Sequence, residues 1–414
     1  MHVFADIVAQ TLRTLWAHRL RTFLTMFGIA WGVGSLLLLV GLGEGFRSGN
    51  RREMAELGKD IMFVFPGRAP AVQGNMASAR NYLLTYKDYL DIKNAPYVGN
   101  AVPIITRDDV HAVSEFANAN GQLVGVEPDY ADIRYLPLKQ GRWLDAMDDS
   151  QKRSVIVLGD ELTHNLFPGR PALGATVLLN GAAFEVIGSI QRVGRGDQNS
   201  TNMRAYIPFQ VMNMSFPVKG EEGRGAISFV NYRPRVRSEH TLAADEVRKV
   251  IARNHGFDPK DPNAFELWDT VRQSEMIGAI FDAMNGFLGS VGMVTLGLGA
   301  IGVVNIMLVS VSERTSEIGL RKALGATNRS ILMQFFLEGI LITMTSGFIG
   351  IGAAGALMWL LSGIKGQGGF DPPKLIPATA ALAIGSLALA GVAAGLYPAK
   401  RAADLTPVEA LRKE

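Results

Sequence analysis

Cysteine is absent from this 414-residue chain, which excludes disulfides and thiolate metal sites without identifying a compartment. Charge is scarce: 19% of residues are charged, and the mean hydropathy of +0.16 is high for a soluble chain of this length, so lipid is the simpler solvent. No G-x-x-x-x-G-K-[ST] occurs, so the phosphate-cradling loop of a nucleotide hydrolase is missing. The six histidines, His2, His18, His111, His164, His240 and His255, show no pair at ligand spacing, and no metal site is expected. No acid, base and nucleophile cluster together, so no catalytic and no cofactor-binding residue is assigned. With 41 basic residues against 38 acidic and a net charge of +3, nothing points to nucleic acid.

What the chain does have is long uncharged runs. Thr22 to Gly43 carries no charge, nor does Ala283 to Ser312, and Glu338 alone interrupts Ser330 to Ile364. Each exceeds the roughly 20 apolar residues that cross a bilayer. Four transmembrane helices are expected at 22–43, 283–312, 330–364 and 375–399, with a tail at 400–414 and an outer domain at 44–282. Val3, Phe4, Ile7, Val8, Leu12, Leu15 and Trp16 fall on one side at helical spacing, predicting an interfacial elbow helix over 1–21. GLGEGF offers no small-x-small cleavage site, so the first helix is expected to stay uncleaved.

Basic residues set the orientation. Arg13, Arg19 and Arg21 precede the first span, Arg314, Arg321, Lys322 and Arg329 fill the loop after the second, and Lys400, Arg401, Arg412 and Lys413 follow the fourth. The loop between the third and fourth spans has Lys365 and Lys374. Both termini and the Glu313 loop are therefore expected in the cytoplasm, and the large domain outside.

Within that domain two strand, helix, strand patterns appear. Ile61 to Phe65, Tyr86 to Asn94 behind a Thr85 cap, and Val98 to Thr106 form one; Ile227 to Tyr232, Ala243 to Asn254 ending at Gly256, and Phe265 to Trp268 form the other. Paired in one sheet they make a porter-like split βαβ layer at about 60–110 and 225–269. Between them a β-rich lobe is inserted at about 115–224, with a hairpin from Thr176 to Ile190 turning at Asn180-Gly181. Residues 44–60 and 269–282 read as stalk helices continuing the first two spans outward. The fold class is thus an α-helical membrane protein with four transmembrane helices plus a large α+β extracytoplasmic domain.

Several motifs have plain explanations. Gly297, Gly299 and Gly302 spell a dinucleotide fingerprint but lie in mid-span, where small residues serve helix packing. The pairs Gly28 with Gly32 and Gly391 with Gly395 are read the same way, between helices or between two copies. Arg195-Gly196-Asp197 belongs to a polar loop; Asp258, Asp261 and Asn263 fall short of a calcium loop because Pro259 and Pro262 break it. Glu338 is expected to be paired or near the headgroups.

The segment ERTSEIGLRKALGA, Glu313 to Ala326, concentrates both charge signs between two apolar runs. Its pattern S-E-R-T-x-E-I-G-x-R-x-A-x-G-A, followed by Gln334, Phe335 and Glu338, resembles the permease subunit of MacB-type (FtsX-like) ABC transporters. Glu317, Gly319, Arg321, Ala323, Gly325 and Ala326 match position by position, and Tyr397, Pro398, Ala399, Arg401, Ala402, Pro407 and Leu411 fit the family's C-terminal signature. GRW from Gly141 and VLGDELTHNLFP from Val157 extend the likeness into the outer domain, and an FtsX-like permease domain is implied over about 283–407.

The resemblance implies a non-catalytic subunit in the bacterial inner membrane, coupling ATP hydrolysis on a separate ATPase to movement of the outer domain by mechanotransmission, in MacB-like efflux. ATP and magnesium would sit on that ATPase. A second permease, as homo- or heterodimer, is a further implied partner, joined by a periplasmic adaptor and an outer-membrane duct where the cell has two membranes. ATPase coupling is assigned to Glu313, Arg314, Glu317, Ile318, Gly319, Leu320, Arg321, Lys322, Ala323, Leu324, Gly325 and Ala326. Ile318, Leu320, Ala323 and Leu324 are its expected apolar knobs, Arg321 and Lys322 its charges, and Gly325 its helix stop. The alternative is an FtsX-like signalling subunit controlling a cell-wall hydrolase, or a lipoprotein-releasing permease.

Overall fold

The computed structural model describes residues 19–70, 79–194, 200–219, 225–261, 263–363 and 370–406. The elbow-helix residues before Arg19, the Arg195-Gly196-Asp197 loop, and Pro407 with Leu411 lie outside them. Two compact units divide the chain: residues 50–277 chiefly form one, and residues up to 49 with those from 278 onward form the other.

The first of these carries, among the described residues, a 12-stranded mixed sheet. At one end the strands run Phe265–Asp269, Met62–Pro66, Phe229–Pro234, Val98–Arg107. In chain order that is fourth, first, third, second, all neighbours antiparallel, the interleaving of two split βαβ units. The helix Tyr86–Lys93 starts with the expected Thr85 cap, which Asp88 completes as a capping box: Asp88 N–H donates to Thr85 Oγ1, and Thr85 N–H donates to Asp88 at 2.7 Å. The helix His240–His255 ends at Gly256 in the left-handed region, φ 74°.

The intervening strands build no separate sheet. Val98–Arg107 is ten residues long and pairs with Phe229–Pro234 on one side and Gln122–Val126 on the other, so the sheet continues through Arg204–Pro208, Val155–Leu158, Ala182–Ile190 and Thr176–Leu179. The hairpin Thr176–Ile190 turns where the sequence places it, with Asn180 at φ 47° and Gly181 at φ 88°. Alternating side chains give the sheet two apolar faces. One packs Tyr89, Ile92, Leu162, Phe209, Val247 and Ile251 from four helices; the other gathers Phe63, Val102, Val124, Tyr130, Val157 and Tyr206. Each such residue contributes about 1.5–3 kcal/mol by burial.

The GRW stretch is structural. Gly141 sits at φ 75°, where an added Cβ would lie 2.1 Å from the Ile187 carbonyl oxygen. Arg142 grips the buried Asp148 through two hydrogen bonds of 2.6 and 3.0 Å, and Trp143 donates to the Pro128 carbonyl at 3.0 Å. Asp258 and Asp261 accept from the backbone of Lys260 and Asn263, as turn residues do.

The second unit is helical. Four helices, Arg19–Leu57, Thr270–Glu313, Asn328–Ser362 and Pro377–Asp404, contain windows long and apolar enough to cross a membrane. Most of their surface stays apolar and exposed, as at Phe27, Trp31, Phe287, Leu298, Trp359 and Leu389, which is how lipid-facing helices look. Thr327 caps the third, and Pro377 opens the fourth.

Candidate functional site

The second apolar helix ends at Glu313, and Arg314, at φ −102° and ψ 17°, turns the chain into a short helix, Thr315–Ala323. The turn is fixed from inside. Thr315 Oγ1 donates back to the Val311 and Ser312 carbonyls. Arg314 Nη1 donates to Glu338 Oε1 on the third helix at 3.1 Å, with side chains 17% and 4% exposed. A carboxylate among apolar side chains is costly unless so paired.

Arg321 and Lys322, both half-buried, also find partners within the unit. Arg321 donates to Gln334 at 2.9 Å and to Glu317 at 2.5 Å. Lys322 Nζ donates to the carbonyls of Ala403 and, at 2.6 Å, Leu405, satisfying the open end of the fourth helix. The segment is thereby bolted to the third helix through Arg314 and Arg321 and to the fourth through Lys322.

Its outward surface is narrower than the sequence suggests. Ile318 is 1% exposed and packs in the core of the helical unit, so it is an anchor instead of a knob, and Gly319 beside it is also buried. Helical periodicity leaves Leu320 at 55% and Leu324 at 81% exposure on the other side. Gly325, at φ 98°, lies one place beyond the cap residue Leu324. Its N–H bonds Lys322 O and the Ala326 N–H bonds Arg321 O, both at 3.0 Å, which is a Schellman stop.

The packing glycines divide. An added Cβ on Gly32 would meet Thr295 at 3.3 Å and one on Gly299 would meet Ile29 at 2.8 Å, which puts the first two helices in contact; Gly391 faces Thr343 and Gly395 faces Phe336, joining the last two. Gly28 and Gly297 have nothing within 4 Å, and Gly302 is half-buried. Contacts not anticipated from spacing are equally close: Gly350 against Ala30, and Gly41 and Gly45 under the loop before the fourth helix. There the Asp371 N–H donates to Gly45 O at 3.1 Å and Ser48 Oγ to Asp371 at 3.1 Å.

Sequence reasoning also missed a clamp at the root of the sheet domain. Arg237 pairs with Asp60, just after the first long helix. Three residues on, His240 Nδ1 lies 2.6 Å from Asp269 Oδ2, and the other oxygen of that carboxylate accepts from Arg272 N at 3.0 Å in the first turn of the Thr270 helix. Thr270 Oγ1 donates to Ile61 O at 2.6 Å. One turn, 237–240, therefore holds the residues where the chain enters the sheet and where it leaves. Only their proximity in space reveals it, since 29 residues separate His240 from Asp269 and 177 separate Arg237 from Asp60.

Two family models match the chain. Residues 22–250 match the MacB-like periplasmic core domain and residues 289–407 the FtsX-like permease C-terminal domain. The macrolide export ATP-binding/permease protein MacB 1/2 of Paracoccus denitrificans is 31% identical over 99% of this chain and 59% of its own length. The ABC transporter permease YknZ of Bacillus subtilis is 29% identical over 98% of both chains. The chain spans about three fifths of the MacB relatives, 59% and 61% in two of them. Among solved structures, the periplasmic region of MacB from Actinobacillus actinomycetemcomitans aligns with a TM-score of 0.43 at 21% identity, over 55% of this chain and 95% of that one. The extracellular domain of YknZ gives 0.41 at 18%, over 50% and 100%.

Proposed function

Because the chain belongs to the MacB-like, FtsX-type family of ABC transporter permeases, we propose that it converts ATP turnover on a separate ATPase into motion of its sheet domain, in export of the MacB kind. The carrying observation is the short helix Thr315–Ala323. Bolted to the third and fourth helices by Arg314, Arg321 and Lys322, it turns Leu320 and Leu324 outward. A pair of exposed leucines on a rigidly held helix suits insertion into a cleft of a partner, while the half-buried, paired charges would transmit force to the bundle. ATP and magnesium are assigned to that partner, since this sequence has no phosphate loop.

In this reading the basic loops favour Leu324 and both termini in the cytoplasm, with the sheet domain outside the inner membrane of a bacterium. A force at the short helix would pass along Thr270–Glu313, one uninterrupted 44-residue helix, toward the clamp at Asp269. A second permease would complete the unit, and an adaptor and outer-membrane duct would extend it across a second membrane. Macrolide export is what the Paracoccus relative's name states; a cargo of that kind, handled outside the bilayer, is the proposal for this chain.

Absence of native cysteine makes the test clean. A thiol introduced as Leu324→Cys should cross-link to the co-expressed ATPase and react with membrane-impermeant maleimide only from the cytoplasmic side. Labelling from outside, or no cross-link in an active complex, would overturn the reading.

A further inference from the structure

The helical unit contains a cleft of about 590 Å³ between its first, second and fourth long helices. Its body is apolar, formed by Leu36, Val40, Met293, Leu296 and Leu382. Gly286 and Gly289 leave one wall without side chains, and nothing stands within 4 Å of where their Cβ atoms would be. Its other end is polar, with Glu44, Arg47 and Asn285 on the lining. From Leu36 to Arg47 the helix rises about 16 Å, roughly half the bilayer's hydrocarbon thickness.

We propose that this cleft is a site for one glycerophospholipid bearing a primary-ammonium, zwitterionic headgroup, that is, a phosphatidylethanolamine. The apolar body admits an acyl chain but cannot select one, because a lipid tail leaving the bilayer exchanges one apolar medium for another. Selection must come from the polar end. Arg47 offers guanidinium N–H groups to a phosphate; its contact to Asp282 at 3.1 Å uses Nη1. Glu44, one turn earlier on the same face, is placed for a cation. Asn285 Oδ1 is buried with no hydrogen-bond donor among the described residues, an unmet acceptor that an ammonium N–H would satisfy. A choline headgroup carries no N–H and a glycerol headgroup no positive charge, so the set fits ethanolamine over both. The charges lie where the uncharged run of the first helix stops, at Gly43, the depth at which a headgroup belongs.

The test uses the full chain with its ATPase, reconstituted in nanodiscs of equal parts phosphatidylethanolamine, phosphatidylcholine and phosphatidylglycerol, then released for native mass spectrometry. Phosphatidylethanolamine should remain bound about tenfold more often than either competitor. Gly289→Leu, whose Cβ would have nothing within 4 Å and whose branched end would occupy the open wall, should abolish retention, and Glu44→Gln should erase the preference among headgroups. Continued co-purification of the ATPase certifies that each variant is folded. Equal retention of the three lipids, or undiminished retention in Gly289→Leu, would overturn the site. So would efficient disulfide formation between two copies of Met293→Cys, which would show a second chain occupying the cleft.

Discussion

Arg314 and Glu338 stand 24 residues apart in sequence and 3.1 Å apart in space, an ion pair almost sealed from solvent. It locks the turn after the second long helix to the flank of the third. Removing one partner strands the other charge, so Glu338→Leu or Arg314→Met alone should cost about 3–5 kcal/mol. The double variant should recover most of that loss because two apolar side chains then meet. Thermal unfolding in detergent of the two singles and the double decides this, and additive losses would contradict it.

Leu324→Glu should disturb association without disturbing the fold. The side chain is 81% exposed and makes no core contact. A central leucine in an interface is worth about 2 kcal/mol, so ATPase affinity should fall roughly thirtyfold at unchanged melting temperature. Arg321→Glu, by contrast, should lower stability as well, since its partners Gln334 and Glu317 are intramolecular.

Gly45→Ala should be destabilising by about 1–3 kcal/mol, the usual cost of overpacking. The added methyl would lie 2.4 Å from the Asp371 carbonyl oxygen, a backbone atom that cannot swing aside. Gly28→Ala, with open space around it, should be neutral in the same melting experiment.

Acid stability should depend on Asp88. Burial by itself would push its carboxyl up, but hydrogen bonds from His255, the Thr85 backbone and Asn254 outweigh it and hold it below the usual value. A depressed folded value means the contribution is complete above the unfolded pKa, about 3.9, and fades as pH falls through the lower folded one. Asp148, held low by Arg142, acts with the same sign; Asp149, raised by burial, opposes them. Asp88→Asn should therefore lose about 2 kcal/mol near neutrality and flatten the stability curve below about pH 4, read by tryptophan fluorescence.

Features with local causes were readable in advance. The Thr85 cap, the Asn180-Gly181 hairpin, the Gly256 stop and the apolar spans each depend on residues within a turn or two. The 4-1-3-2 strand interleaving followed from two repeated strand, helix, strand patterns. The continuation of the sheet beyond Val98–Arg107 did not, because which neighbour a strand takes on its second edge is settled by tertiary competition. At the short helix the same divide holds. Charge and spacing marked Glu313 to Ala326, but that Arg321 and Lys322 reach inward to Gln334 and Leu405 depends on partners 13 and 83 residues away. Gly41 and Gly45 escaped notice because they cradle a loop, a use that has no period.

Met62 and Asp269, the first and last residues of the sheet domain's outermost pair of strands, face each other in register. Entry and exit are thus one strand spacing apart, about 4.8 Å. Topologically the domain is a cassette: the two long helices flanking it could be rejoined by a turn of a few residues, and any fold whose ends meet on adjacent strands could be spliced into the same gap. The domain could then be exchanged or regrown while the helical bundle and its short helix stay as they are.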